Sequence, residues 1–381
     1  MQVAKRLAHI KEYYFSTKLK EIAMRISQGE SIINLGIGSP DLPPPNEVIK
    51  TLQNTVSATD IHSYQSYKGI PELRQAISEF YHKHYQVTVN ADKEILPLIG
   101  SKEGIMHISM AFINEGDQVL VPNPGYMTYV SASKLAGGTP LFYDLTPENN
   151  WLPNLDALAK QDLSKVKLMW LNYPNMPTGA SISKEEFAKI ITFAKTHNIL
   201  IVNDNPYSFI LNNKPLSILE IAGSKEVAME LNSLSKSHNM AGWRVGMLLA
   251  NKEHIDQVMK FKSNMDSGMF YGIQKAAIKA LQIDDNWYDE LNKIYRKRKE
   301  IVLAIAKALK IEVSDNQQGM FIWCKLPEGQ KSEKFVEKLL NEKQIFITPG
   351  FIFGSNGDNY VRISLTQPEE ILKEALNRIK N

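Results

Sequence analysis

Short apolar segments alternate with amphipathic segments between about residues 95 and 249 of this 381-residue chain. Each apolar segment is typical of a buried strand, and the segments between them carry apolar residues at helical spacing. Strands that alternate with helices predict a mostly parallel sheet with helices on both faces, and ligand sites at the carboxyl ends of its strands. The predicted strands are residues 95–99, 118–121, 167–172, 200–203, 227–231 and 245–249, and the predicted helices are 102–113, 127–135 and 183–197.

The pattern changes beyond about Asp266. A long helical segment at 283–309 precedes two strand-like segments, 320–325 and 360–365, and a terminal helix after Pro368. This part of the chain is predicted to form a second, α+β unit. The Gly- and Pro-rich segment 35–45 is predicted to be a loop beside that unit.

Composition excludes several classes of protein. The chain is 43% hydrophobic and 22% charged, as expected of a globular protein, and its net charge of +3 gives no reason to expect a nucleic-acid partner. No apolar segment reaches the roughly 18 residues of a membrane-spanning helix, and residues 1–14 lack the apolar stretch of a secretory signal. The single cysteine, Cys324, favours a reducing compartment, so we predict a cytoplasmic enzyme or binding protein.

The sharpest chemical signal is Lys236, which follows a predicted strand together with two serines, Ser233 and Ser235, and precedes Arg244. Desolvation and a nearby cation can hold such a lysine deprotonated, and a neutral amine can form a Schiff base with an aldehyde. A solvated polar turn explains this segment, taken alone, equally well.

Other strand ends carry weaker signals. Asp204, with Tyr207 three residues later, can pair with a ring nitrogen, but an acid at this place more often caps a helix or lies in a loop. Residues 100–102 open a helix after a strand, where free N–H groups favour a phosphate, although the spacing of a P-loop is absent. Arg362, in a short apolar strand, is either paired within the structure or available to a carboxylate.

Two features invite a metal or thiol hypothesis that the sequence does not favour. His82 and His84 lack a Cys or acidic partner at ligand spacing, so we predict a solvated helix face and no metal site. Cys324 has no catalytic signature around it and is predicted to be a buried structural thiol.

Taken in order, these features resemble the class I/II aminotransferases of pyridoxal-phosphate fold type I. The matching segments are 35–41, 64–74, 100–102, 122–126, 174–179, 204–207 and 233–244, followed by Arg362. The resemblance implies an α/β fold with a large domain, which holds a mostly parallel seven-stranded sheet between helices, and a smaller α+β domain built from both chain ends. It implies an N-terminal arm and part of the small domain at 1–44, the large cofactor-binding domain at 45–280, and the rest of the small domain at 281–381.

The resemblance also implies pyridoxal 5'-phosphate as cofactor. Lys236 would bear it as an aldimine, Asp204 would keep its ring nitrogen protonated, Tyr207 would hydrogen-bond its ring oxygen, and Tyr126 would stack on the ring. The implied phosphate contacts are Gly100, Ser101, Lys102, Ser233, Arg244 and, from the other subunit of a homodimer, Tyr64. The implied substrate contacts are Gly38, Arg362 and Asn175, with Asn175 also beside the cofactor.

One position departs from the family's pattern. The family usually has an asparagine just before Pro-Thr-Gly that donates to the ring oxygen, and here that place is Met176. A thioether cannot donate a hydrogen bond. Either Asn175 shifts to replace the missing donor, or Tyr207 holds the ring oxygen with less help.

The implied reaction moves an amino group from an L-amino acid to a 2-oxo acid with ping-pong kinetics, and Lys236 transfers the proton. The same fold hosts carbon–sulfur β-lyases and cofactor-binding regulatory proteins, so these remain alternatives. Regulatory proteins of this kind carry an added DNA-binding segment, and no segment of helix-turn-helix size precedes Leu35.

Aromatic, aspartate-type and diaminopimelate-type substrates stay open, with glutamate and 2-oxoglutarate as the co-substrate pair. Some aromatic residues are candidates for a side-chain pocket, or equally for the core or a dimer interface. They are Tyr13, Tyr14, Phe15, Phe270 and Tyr271.

Overall fold

A computed structural model describes residues 3–8, 10, 12 and 14–381. The strands are β1 Ile33–Asn34, β2 Ile95–Leu98, β3 Gln118–Asn123, β4 Thr139–Asp144, β5 Val166–Leu171, β6 Leu200–Asp204, β7 Ala228–Ser233, β8 Gly246–Leu249, β9 Glu312–Val313, β10 Phe321–Lys325, β11 Ile345–Phe346, β12 Thr348–Pro349 and β13 Tyr360–Ser364. The helices are α1 Tyr14–Ser27, α2 Asn46–Val56, α3 Pro71–Tyr85, α4 Ser101–Phe112, α5 Thr128–Leu135, α6 Leu155–Leu158, α7 Lys184–His197, α8 Lys252–Lys262, α9 Tyr271–Leu281, α10 Asn286–Ala308, α11 Ser332–Lys343 and α12 Glu369–Lys380.

The central sheet has seven strands in the order β2-β8-β7-β6-β5-β3-β4. The five strands from β7 to β4 run parallel, while β8 is antiparallel to both of its neighbours. The predicted α/β fold with a mostly parallel sheet is therefore confirmed. All six predicted strands lie in this sheet, and β4, which was not predicted, is its edge strand. Its apolar run, 141–143, is only three residues long and follows Pro140, and only Tyr143 of the strand is buried.

Both faces of this sheet are buried. Along β3, Leu120 belongs to one apolar cluster and its neighbours Val119 and Val121 belong to another. Side chains of a strand point alternately to the two faces, so the two clusters lie on opposite sides of the sheet. Burial on both faces is what makes the strands read as continuous apolar runs in the sequence.

The chain ends meet in the smaller unit. A four-stranded antiparallel sheet has the order β12-β13-β10-β9, and β1 pairs in parallel with β11 through Ile33 opposite Ile345. The irregular segment after β1 is held there, since the N–H of Leu35 donates to the carbonyl of Phe346 at 2.7 Å. A smaller α+β unit built from both chain ends is thus confirmed, while the domain bounds at residues 44 and 280 stay a prediction.

The helices follow the sequence signals closely. Ser183 precedes α7, and its hydroxyl accepts the N–H of Glu186 at 3.2 Å, which caps the start of the helix. The long helix α10 falls within the predicted segment 283–309. No helix in the described part of the chain combines the length and the apolar composition needed to cross a bilayer.

Candidate active site

A cavity of about 340 Å³ lies at the carboxyl ends of β6 and β7 and extends to β13. Parallel strands end at the same edge of a sheet, which explains why residues distant in sequence meet there. The predicted residues that line it are Gly38, Ser101, Lys102, Tyr126, Asp204, Tyr207, Ser233, Lys236, Arg244 and Arg362. The cavity therefore brings together all but three of the predicted site residues.

The amine of Lys236 lies at the centre of this group. Its Nζ donates a 2.6 Å hydrogen bond to the carbonyl of Gly38. The pKa of Lys236 is lowered to about 8. Burial is the largest cause, and the cations of Arg362 and Arg244 add to it, while the Asp204 carboxylate opposes it more weakly. A substantial fraction of the amine is therefore neutral, and able to attack an electrophile, near physiological pH.

Asp204 ends β6 and has one oxygen free for a ligand. Its Oδ2 accepts a 2.8 Å hydrogen bond from the hydroxyl of Tyr129, whereas its Oδ1 has no hydrogen-bond partner among the described residues. Burial raises the pKa of this carboxyl to about 7, although the Tyr129 bond and the charge of Lys236 oppose the rise. A buried oxygen without a partner is costly, so the site fits a ligand that brings a donor, such as a protonated ring nitrogen.

Tyr129, which was not singled out from the sequence, stacks on Trp170 with ring centroids 4.9 Å apart. A signal was available, because Tyr129 lies in the first turn of the predicted helix 127–135, three residues after Tyr126; the N–H of Tyr129 donates to the carbonyl of Tyr126 at 3.1 Å. Both residues line the cavity.

One end of the cavity suits an anion. Ser101 and Lys102 begin α4, whose first N–H groups are unpaired within the helix, and Ser233 and Arg244 lie across from them. Gly100 does not line the cavity, but it has φ +84°, and a Cβ there would lie 2.1 Å from Nη2 of Arg244. This glycine therefore makes room for the guanidinium, and its own contact with a phosphate stays a prediction. These donors and the positive charge fit a phosphate group.

Another end suits a carboxylate. The guanidinium of Arg362 lies 3.9 Å from the ring centre of Phe321 and 4.8 Å from that of Phe353, and its Nη2 donates to the carbonyl of Gly36 at 2.9 Å. Its Nη1 lies 3.3 Å from Sδ of Met176. A buried, oriented guanidinium of this kind can bind a carboxylate through its planar fork.

Asn175 lies elsewhere than predicted. Its amide nitrogen donates to the carbonyl of Asn172 at 3.1 Å, and its oxygen accepts the hydroxyl of Thr178 at 2.7 Å, so the side chain holds its own loop together. It is not part of the cavity wall, whereas Met176 and Asn172 are. The structure therefore does not support the alternative in which Asn175 replaces the missing donor.

Asn172 was not singled out from the sequence. Its amide nitrogen donates to the carbonyl of Asp204 at 2.6 Å, and its oxygen accepts the N–H of Met176 at 2.8 Å. Asn172 thus links the loop of Met176 to the end of β6.

Tyr64 is 91% exposed and is not part of the cavity wall of its own chain. Its role in another subunit stays a prediction. Among the aromatic candidates, Phe15 lines the cavity, Tyr14 packs on Phe351 at 5.1 Å, and Phe270 lies 6.2 Å from His62. Tyr271 is not part of the cavity wall either, and Tyr13 lies outside the described residues.

The prediction of a solvated face for both histidines was wrong for His84. Its ring lies 4.6 Å from that of Phe80 within an aromatic cluster, and burial lowers its pKa. His82 is exposed, as predicted, and Cys324 is buried, as predicted. Two further rings around His84, Phe209 at 5.2 Å and Tyr288 at 5.8 Å, come from distant parts of the chain, and sequence spacing does not reveal them.

Three comparisons with known proteins extend over nearly the whole chain. The family model "Aminotransferase class I and II" matches residues 30–379. An LL-diaminopimelate aminotransferase from Aquifex aeolicus is 41% identical over 378 residues, which are 99% of this chain and 98% of that protein. The structure of substrate-bound BacF from Bacillus subtilis has a TM-score of 0.95 at 35% identity and covers 100% of this chain and 98% of its own. An aromatic aminotransferase from Pyrococcus horikoshii has a TM-score of 0.87 at 30% identity, with coverage of 94% and 97%.

Proposed function

This chain belongs to the family of class I and II aminotransferases, and we propose that it works with pyridoxal phosphate bound in the cavity described above. One observation carries the proposal: Lys236 lines the same cavity as Asp204, whose Oδ1 has no hydrogen-bond partner in the described part of the chain. An aldehyde-bearing pyridine ring satisfies both groups at once. Its phosphate would lie at the start of α4, between Ser101 and Arg244.

Each residue of the cavity named below would have a separate role in amino transfer. Asp204, oriented by Tyr129, would hold a proton on the ring nitrogen through Oδ1, and Arg362 would hold the substrate's carboxylate. Lys236, with a pKa of about 8, can take the proton from the substrate's α-carbon and would deliver it to the carbon of the cofactor's aldehyde group. It therefore serves first as base and then as acid. When bound, the cofactor supplies an electron sink for the bond that breaks. A 2-oxo acid then takes up the amino group in a second half-reaction, which gives ping-pong kinetics.

For the substrate, we propose LL-diaminopimelate as amino donor and 2-oxoglutarate as acceptor. The support is the Aquifex aeolicus protein of that name, which matches this chain from end to end at 41% identity.

A second candidate donor is an aromatic amino acid. The cavity wall includes the rings of Phe15, Tyr126, Phe321 and Phe353, and such rings favour an apolar or aromatic side chain. The aromatic aminotransferase of Pyrococcus horikoshii supports the same candidate at 30% identity.

We also propose that the enzyme is a homodimer in which Tyr64 of one subunit reaches the phosphate bound by the other. The support is a set of large apolar side chains that are exposed in the single chain, since such surfaces are typical of interfaces. Apart from Tyr64 they include Val56, Tyr67, Met265 and Phe270.

A half-reaction tests both the chemistry and the substrate. Purified protein is loaded with pyridoxal phosphate, and amino acids are added one at a time without an acceptor while the near-visible absorbance is recorded. We expect LL-diaminopimelate to replace the absorbance band of the cofactor's aldehyde form with that of its aminated form, and to release one equivalent of oxo acid. A faster change with phenylalanine would favour the second candidate. Lys236→Ala should show no conversion. Release of ammonia would point to a lyase, and failure of the wild-type protein to bind the cofactor would overturn the proposal.

A further inference from the structure

A buried group of charged side chains lies beside the first turn of α4, outside the cavity wall. Glu103 and His107 belong to α4, Lys262 ends α8, and Asp266 follows it closely. The side chain of Glu103 is 10% exposed, that of Lys262 is 1% and that of Asp266 is 9%. Charges so deeply buried are costly unless they are paired. Their presence therefore calls for a structural or functional reason.

The group forms one connected network. Oε1 of Glu103 lies 2.6 Å from Nε2 of His107 and 3.9 Å from Nζ of Lys262. Lys262 donates to Oδ2 of Asp266, and Oδ1 of Asp266 accepts the N–H of Gly268 at 2.8 Å. One ammonium is thus placed between two carboxylates.

The network resembles a small metal site but contains its own cation. Ligand atoms of Glu103, His107 and Asp266 all lie within 4.8 Å of one another. The ammonium of Lys262 contacts both carboxylates, and a second cation would be repelled by it. Burial raises the pKa of Asp266, but the bonds from Lys262 and Gly268 outweigh it and leave that pKa below its usual range. A structural ion pair is the better description.

The second oxygen of Glu103 connects this network to the cavity. Oε2 accepts the N–H of Ile99, the residue between the end of β2 and Gly100. The next two residues, Ser101 and Lys102, line the cavity at its anion end. The carboxylate therefore fixes the direction in which the chain enters the turn that would hold the phosphate.

The opposite end of the network touches the segment beside Tyr64. Gly268 has φ +87°, and a Cβ there would lie 2.6 Å from the carbonyl oxygen of Gln65 and 2.8 Å from that of Ser66. The backbone at Gly268 thus packs closely against the residues that follow Tyr64. The network spans from the phosphate turn of one site to the segment predicted to complete the other.

We propose that Glu103 is a positioning residue for the cofactor's phosphate: anchored by Lys262 and Asp266, it holds the 99–102 turn in its binding shape. This inference rests on the proposed function, because it assumes pyridoxal phosphate as the ligand. Without the acceptor at position 103 the turn would have to be ordered when the phosphate binds, and that cost lowers affinity. Pyridoxal, which lacks the phosphate, does not use the turn.

The test compares the affinities of full-length variants for pyridoxal phosphate and for pyridoxal, measured by absorbance titration. Glu103→Leu removes the acceptor for Ile99 while the Lys262–Asp266 pair stays balanced in charge. Glu103→Gln keeps an acceptor oxygen. The matched control is Asp117→Ala, which removes a carboxylate that accepts the N–H of Asn114 at 2.8 Å beyond the other end of α4.

We expect Glu103→Leu to weaken pyridoxal phosphate binding by about tenfold and to leave pyridoxal binding unchanged. Glu103→Gln and Asp117→Ala should keep the wild-type ratio of the two affinities. Equal weakening of both ligands, an unchanged ratio in Glu103→Leu, or a Gln variant as poor as the Leu variant would overturn the inference. If wild-type protein binds neither ligand, the proposed function fails instead.

Hydrogen exchange provides a test that needs no variant. In cofactor-free wild-type protein the amide of Ile99 should already be protected, because Glu103 accepts it before any phosphate arrives. Rapid exchange of this amide, with protection appearing only on addition of pyridoxal phosphate, would contradict a turn held in advance by Glu103.

Discussion

The hydroxyl of Tyr129 binds Oδ2 of Asp204 at 2.8 Å, while Oδ1 of the same carboxylate has no hydrogen-bond partner within the described residues. The carboxylate is therefore oriented by the protein but only half satisfied by it. An incompletely paired buried charge destabilises the fold and at the same time prepares the site for a ligand that donates a hydrogen bond. Substitution of Asp204 should therefore raise the free energy of unfolding and weaken ligand binding.

Asp204→Asn is expected to stabilise the cofactor-free protein at high pH. The pKa of Asp204 is about 7 in the fold, above its value in an unfolded chain, so the fold favours the protonated carboxyl. This contribution to stability is complete below about pH 4 and is lost as the pH rises through 7, where the buried carboxyl ionises. Removal of the charge should therefore raise the free energy of unfolding at pH 8 by up to about 4 kcal/mol, and much less at pH 5. Urea unfolding at the two pH values measures this.

The same variant should bind pyridoxal phosphate more weakly, because a neutral amide cannot hold the protonated ring nitrogen. Tyr129→Phe serves as the comparison. It keeps the charge but removes a bond that lowers the pKa of Asp204, so it should not stabilise the protein at pH 8. An equal change in unfolding free energy at pH 5 and pH 8 for Asp204→Asn would contradict the assignment.

Lys236 should set the pH dependence of cofactor attachment. Burial and the cations of Arg362 and Arg244 lower its pKa to about 8, and only the neutral amine attacks an aldehyde. The rate of covalent attachment of pyridoxal phosphate should rise with pH and level off above about 8. Arg362→Gln removes one of the cations, so the midpoint should move to higher pH. Stopped-flow absorbance measures the rate, and a midpoint that does not move would show that Arg362 does not act on this amine.

Met176 should tune the electronic state of the bound cofactor. Its thioether lines the cavity and lies 3.3 Å from Nη1 of Arg362, but it cannot donate a hydrogen bond. Met176→Asn introduces a donor that can draw electron density from the ring oxygen, so the pKa of the visible chromophore should fall below the wild-type value. A pH titration of the absorbance measures this pKa. Met176→Leu, which has similar size and no donor, should leave it unchanged, and an equal fall in both variants would refute the idea.

The sequence was sufficient to predict a site residue wherever both the residue type and its position next to a strand were informative. Lys236 and Asp204 stand directly after apolar strands, and the geometry of parallel sheets brings such residues to one edge. Strand β4 was not predicted because its apolar run has only three residues, 141–143, directly after Pro140, and an edge strand needs no longer one.

Other features depended on contacts between distant segments. The Glu103 network joins α4 to Lys262 of α8, and the packing of these two helices is not visible in the sequence. Asn175 was misplaced because its side chain satisfies its own loop, and neighbouring residues do not show which way an amide turns.

Subunit complementation should reveal whether Tyr64 acts on another subunit's site. Lys236→Ala and Tyr64→Ala are each expected to have little activity alone. If Tyr64 reaches across a dimer, a mixed dimer has one site with both residues intact, so a refolded equimolar mixture should reach about a quarter of wild-type activity. A mixture of Lys236→Ala with Asp204→Asn is the matched control and should stay inactive, because both residues line the cavity of their own chain. Activity of the first mixture no greater than the mean of its components would place Tyr64 outside the shared site.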